Sequence, residues 1–155
     1  MAHDETELSP EDMQKRVARF ADLVPYKDTM NDAHGIAPIK GAPGLTVTIA
    51  ECPPGDSSGL HKHTDTIENF FCIEGEIEIV WGSAGENSIT LGPLDFVSVP
   101  AGVYREFRNN GTEMGRLFVA IQTPPDEKKD TVIHAAAAGE EVERRFGHET
   151  RDAMA

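Results

Sequence analysis

Between Leu45 and Thr123 the hydrophobic positions fall into short runs, LTVTIAEC, NFFCIEG, EIEIVW, SITL, FVSV, YREF and RLFVAIQ, rich in Val, Ile, Phe and Thr. Such runs, several of them alternating with a period of two, predict β-strands. Turn signals stand between them: Pro53-Pro54-Gly55, Gly82-Ser83-Ala84-Gly85, Pro100-Ala101-Gly102 and Asn110-Gly111. The last predicts a type I′ hairpin. Many short strands at regular spacing predict a barrel or sandwich. Upstream, Ser9 reads as an N-cap, Pro10 as a first-turn proline and Asp12 as an acid at the positive helix end, while Met13, Val17 and Phe20 recur at helical spacing. A short amphipathic N-terminal helix is expected there. From Val24 to Gly44 the periodicity is lost among prolines and glycines, which predicts an irregular arm over the domain surface or a neighbouring subunit. After Pro124-Pro125 comes a charged, Ala-rich, partly helical tail, with a helix turn or two expected over Glu140 to Phe146. The expected division is therefore an arm over 1–44, a β domain over 45–123 and a tail over 124–155.

Length and composition narrow the function. The chain has 155 residues, of which 39% are hydrophobic, enough for one ordinary core and not for a second catalytic domain. Its formal net charge of −13 opposes nucleic acid and anionic membranes and leaves a small molecule or a metal as the expected ligand. No apolar stretch is long enough to span a bilayer, and the charged start lacks a signal-peptide layout, so a cytoplasmic location is expected. Cys52 and Cys72 then read as reduced, small core residues. Asn110-Gly111-Thr112 fits a glycosylation sequon but reads as a turn in a chain that is not exported.

The chemistry concentrates around two histidines. His61 and His63 are two apart, so on a strand both imidazoles project from one face and can meet one ion. Thr64-Asp65-Thr66 can turn the chain, and Glu68 then opens the next strand with a carboxylate. Strict alternation puts Phe70 and Cys72 on the inward face of Glu68. Gly75 can reset the register, after which Ile77, Ile79 and Trp81 alternate with Glu76 and Glu78. Alone, the histidine pair reads equally as two surface histidines beside a solvated acid. The spacing goes further: Gly55, five residues, His61, one residue, His63, four residues, Glu68, six residues, Gly75. This run, GDSSGLHKHTDTIENFFCIEG, resembles the first motif of the cupin superfamily at every defining position, and the resemblance extends over Leu45 to Gln122. It implies an all-β double-stranded β-helix, or jelly-roll, barrel that holds one divalent metal ion near its open end through His61, His63 and Glu68.

The second cupin motif is matched in part by LDFVSVPAGVYREFRN, with Asp95, Pro100, Gly102 and Asn109 in place. Leu94 replaces its first glycine, and Arg105 stands where the family's fourth ligand, a histidine, is expected. A guanidinium has no lone pair to donate. Three readings follow: the metal is lost; Tyr104 or His34 replaces the ligand, although Tyr104 should face away from Arg105; or the centre works with three ligands. Two histidines and one carboxylate are the facial set of non-haem Fe(II) oxygenases, with three positions open for substrate and dioxygen. On that reading Arg105 anchors a carboxylate or enolate, while its bland alternative is a salt bridge to an inward carboxylate such as Glu68. Phe70, Phe96, Phe107 and Phe118, with Cys72 and Tyr104, are candidates to line a pocket for a small, possibly aromatic acid. A non-oxidative isomerase, lyase or decarboxylase using Zn²⁺, Mn²⁺ or Ni²⁺ is the second reading. A non-catalytic binding barrel is the third. The resemblance also implies a homodimer.

Overall fold

The computed structural model describes residues 8–17, 19, 21, 39–40, 44–124 and 130–135. One helix, α1 (Pro10–Gln14), precedes ten strands: β1 (Ile39–Lys40), β2 (Leu45–Cys52), β3 (His61–His63), β4 (Ile67–Glu74), β5 (Ile77–Trp81), β6 (Asn87–Leu91), β7 (Phe96–Val99), β8 (Arg105–Arg108), β9 (Gly115–Gln122) and β10 (Val132–His134). They form two five-stranded antiparallel sheets, in the orders β1-β2-β9-β4-β7 and β10-β3-β8-β5-β6. The chain crosses repeatedly between them, which is the jelly-roll arrangement the family resemblance implied.

Alternation decides what faces the interior. On β4, Glu68, Phe70 and Cys72 are buried, and on β5 Ile77 and Ile79 are buried. With Ala50, Cys52, Leu91, Val99, Leu117 and Val119 the apolar members of this set make one core between the sheets. The register of β4 against β9 slips between Cys72 and Glu74, and Gly75 follows at φ +75°. A Cβ on Gly75 would sit 2.6 Å from the Met114 carbonyl oxygen, so the turn into β5 admits only glycine there.

Several elements differ from expectation. Ser9 caps α1 by accepting from the Asp12 backbone N–H, as its spacing predicted, but the helix has five residues and buries none of them; Met13 and Val17 are exposed. Phe20, His34 and the Glu140 to Phe146 segment lie outside the described residues. Asn110-Gly111 is not a hairpin turn. β8 and β9 belong to different sheets, and neither residue adopts the positive φ that a type I′ turn needs. The side chain of Asn109 organises the connection instead, donating to the carbonyls of Cys52 and Glu113 and accepting from Gly111 N–H. Among the described residues, no helix is long and apolar enough to cross a membrane.

Candidate metal centre

Strand β3 is flanked by β8 and β10, and its alternation turns both histidines toward the opposite sheet. The His61 Nδ1 lies 2.7 Å from the Gly59 carbonyl oxygen, and the His63 Nδ1 lies 2.6 Å from an Asp130 carboxylate oxygen. Both partners only accept, so each Nδ1 carries a hydrogen and each Nε2 of a neutral ring keeps its lone pair. Burial pushes the His61 pKa down to about 4, with Glu68 opposing the shift, so this ring is neutral at physiological pH.

Glu68 comes from β4 in the facing sheet, and one of its oxygens lies 3.6 Å from His63 Nε2. The ligand atoms of His61, His63 and Glu68 all lie within 4.8 Å of one another, and His63 and Glu68 are buried. Two imidazole nitrogens with bare lone pairs and one carboxylate oxygen are a donor set that suits a divalent transition metal. The residues present fit such an ion.

Arg105 lies directly across from His61 on β8 and is fully buried. Its Nε donates to Glu68 at 3.0 Å and its Nη1 to the Val103 carbonyl at 2.7 Å. Nη2 is buried and meets no partner among the described residues. Burial lowers the guanidinium pKa and Glu68 works against that, and the group stays charged. The open two-pronged fork expected from the sequence is therefore largely committed: the ion pair to Glu68 is present, and one nitrogen is left to bind anything else.

The third contribution comes from the segment after residue 124. β10 pairs antiparallel with β3, Thr64 N–H donates to the Thr131 carbonyl and Ala135 N–H donates to the Leu60 carbonyl. Asp130 accepts from His63 with one oxygen and from the backbone N–H groups of Asp65 and Thr66 with the other. Burial alone would raise this carboxyl, but the hydrogen bonds from His63 and Asp65 outweigh it and hold the pKa low. His134 stands across from His61, with ring centroids 5.9 Å apart. Neither Asp130 nor His134 was identified from the sequence.

The expected pocket divides in two. Phe70 and Phe107 meet inside the barrel, edge to face at 6.1 Å between centroids. Cys72 is also inside, its thiol directed at the carbonyls of Glu74 and Gly75 and its pKa raised by burial, so it is an un-ionised core group. Phe96 and Phe118 are instead on the outer face, 57% and 37% exposed. Both pair with Phe71, whose side faces away from Phe70, and directly paired residues share a face. Tyr104 also differs from its expected place: it precedes the inward Arg105, and the Lys62 ammonium lies 4.9 Å from its ring centre, on the side of β3 away from the histidines. It is not a replacement ligand.

The model of the Cupin domain family matches residues 48–121. No curated protein matches the chain. Among solved structures, the cupin domain of Schizosaccharomyces pombe Cnp3 superposes with a TM-score of 0.57 at 21% identity, over 68% of this chain and 71% of that one. A predicted oxalate decarboxylase from Thermotoga maritima gives 0.60 at 18% identity, over 70% and 99%. A sugar phosphate isomerase from Silicibacter pomeroyi gives 0.52 at 22% identity, over 60% and 57%. At these identities the likeness is one of fold.

Proposed function

Residues 48–121 match the Cupin domain family on a cupin-like barrel, and from that premise we propose that the chain is a cupin and a metal-dependent enzyme, an Fe(II) oxygenase acting on a small carboxylate- or enol-bearing substrate. The observation that carries this reading is the convergence of two imidazoles and one carboxylate inside the barrel, with each Nδ1 turned to an acceptor. Fe(II) held there would supply redox chemistry for dioxygen, whereas Zn²⁺, Mn²⁺ or Ni²⁺ would supply a Lewis acid alone.

The chain's own residues set the character of the substrate. Around the site stand Arg105 with one positive charge and Glu68 and Asp130 with one negative charge each. A divalent ion adds two positive charges, leaving one positive charge in a buried site. An anion of single charge neutralises it, which the low dielectric favours strongly. Arg105 Nη2, buried and without a partner among the described residues, is the donor proposed for that anion, which reaches it once the side chains covering it shift, so the anchor is one nitrogen and not a two-point clamp. Phe70 and Phe107 form the apolar floor beyond Glu68 and keep water from that side. A homodimer and a cytoplasmic location belong to the same reading.

The test is metal content of anaerobically purified protein by mass spectrometry beside His61→Ala/His63→Ala, followed by dioxygen uptake after Fe(II) loading. Near-stoichiometric metal in the wild type and almost none in the variant supports the centre, and iron with substrate-linked oxygen uptake supports the oxygenase. Metal-dependent turnover without oxygen uptake moves the assignment to a non-oxidative isomerase, lyase or decarboxylase using the same residues. Equal, trace metal in both proteins overturns it.

A further inference from the structure

Asp130 lies outside the residues that the cupin family model matches, yet it reaches the centre of the site. We propose that Asp130 is a positioning residue for the metal centre: its carboxylate fixes the tautomer and orientation of His63, and the segment 130–135 is thereby part of the metal site. The inference rests on the metal-centre reading above and extends it to a part of the chain that the family pattern does not cover.

Three observations carry it. His63 Nδ1 meets an Asp130 carboxylate oxygen at 2.6 Å, a short hydrogen bond, and an acceptor there leaves Nε2, the atom that faces Glu68, as the position of the lone pair in the neutral ring. Asp130 is itself held in place, because its second oxygen accepts from two successive backbone N–H groups at Asp65 and Thr66, in the turn that joins β3 to β4. That turn connects His63 to Glu68, so one carboxylate braces two ligands' relative positions. Finally, β10 is registered on β3 from Val132↔His63 to His134↔His61, so the strand that follows Asp130 runs along both ligand histidines. His61 has a different hydrogen-bond partner at Nδ1, the Gly59 carbonyl, which is local in sequence, whereas the Nδ1 partner of His63 comes from the distant segment.

The experiment compares wild type, Asp130→Asn and Asp130→Glu. Zn²⁺ affinity is read by competition with a chromophoric chelator, and the His63 tautomer is read by ¹⁵N NMR on the metal-free protein. Asp130→Asn is expected to weaken Zn²⁺ about 10- to 100-fold and to populate the Nε2–H tautomer of His63, with Asp130→Glu recovering part of both. A merely structural role would lower stability and leave the tautomer unchanged. Zn²⁺ affinity within about twofold of wild type together with an unchanged Nδ1–H tautomer would overturn the proposal. If the wild type itself binds no Zn²⁺, the metal-centre reading fails, while the tautomer measurement still decides whether Asp130 orients His63.

Discussion

The segment from Gly55 to Gly75 and the segment from Leu94 to Asn109 cross the same barrel and carry the two halves of one family pattern, but only the first carries it unaltered. In the first, His61, His63 and Glu68 converge and Gly75 occupies a turn with no room for a side chain. In the second, Asn109 still ties the loops together, while two positions have changed. Leu94 keeps the glycine's left-handed backbone, at φ +72°, and carries its side chain out into solvent, 74% exposed. Arg105 keeps the histidine's inward direction but replaces a neutral ligand with a buried cation bound to Glu68. A backbone position can thus tolerate the wrong residue at a cost in strain, whereas a charge change inside a low-dielectric site must be compensated by a partner.

The sharpest way to break that comparison is to remove the partner. Glu68→Gln leaves the fully buried Arg105 without its counter-charge and should lower unfolding free energy by about 3–5 kcal/mol. Arg105→Met in the same chain should return most of that loss, because the pair is then removed as a unit. Urea denaturation of the two single variants and the double variant measures the coupling. If the singles and the double lose equally little, the Glu68–Arg105 contact is not the compensation described.

A smaller effect separates the first segment through pH. In the metal-free protein His61 titrates at about 4, against 6.5 for an ordinary histidine. Between those values the unfolded chain binds a proton that the folded one refuses, so stability is fully present above about pH 6.5 and falls as pH drops toward 4. The fall is on the order of 3 kcal/mol. His61→Gln should flatten this part of the profile. Parallel pH slopes in the two proteins, from urea midpoints between pH 7 and 4.5, would show that His61 is not held neutral by the fold.

The same contrast shows what sequence reading could reach. Period-two runs placed β2 and β7 residue for residue, and the spacing from Gly55 to Gly75 placed the three candidate ligands. The faces of β9 were not readable, because Leu117, Val119 and Ile121 alternate with Phe118 and Ala120, both sets being apolar; Phe118 was thus put inside. Phe96 failed for the same reason beside Val97. Asp130 and His134 left no local signal. Their partners lie 67 and 73 positions earlier along the chain, and a short strand in a charged segment has no periodicity to announce it. The ion pair of Arg105 was foreseen as an alternative, since a buried guanidinium must find a carboxylate and Glu68 was the nearest inward one.

The smallest expected effect concerns Leu94, and its sign is opposite to the others. Its N–H donates to the Cys72 carbonyl at 2.7 Å, which ties the turn before β7 to the end of β4 and holds the residue in its left-handed conformation. For an L side chain that conformation costs roughly 1–2 kcal/mol, and glycine is free of the cost but loses about 0.5–1 kcal/mol through its more flexible unfolded chain. Leu94→Gly should therefore stabilise the protein by about 0.5–1 kcal/mol, a rise in melting temperature of roughly 1–4 °C at this chain length. Leu94→Ala retains the strained backbone and discards only an exposed side chain, so its melting temperature should stay close to that of the wild type. If alanine stabilises as much as glycine, the gain comes from removing an exposed apolar group, and the backbone at this position is not strained in the way its φ indicates.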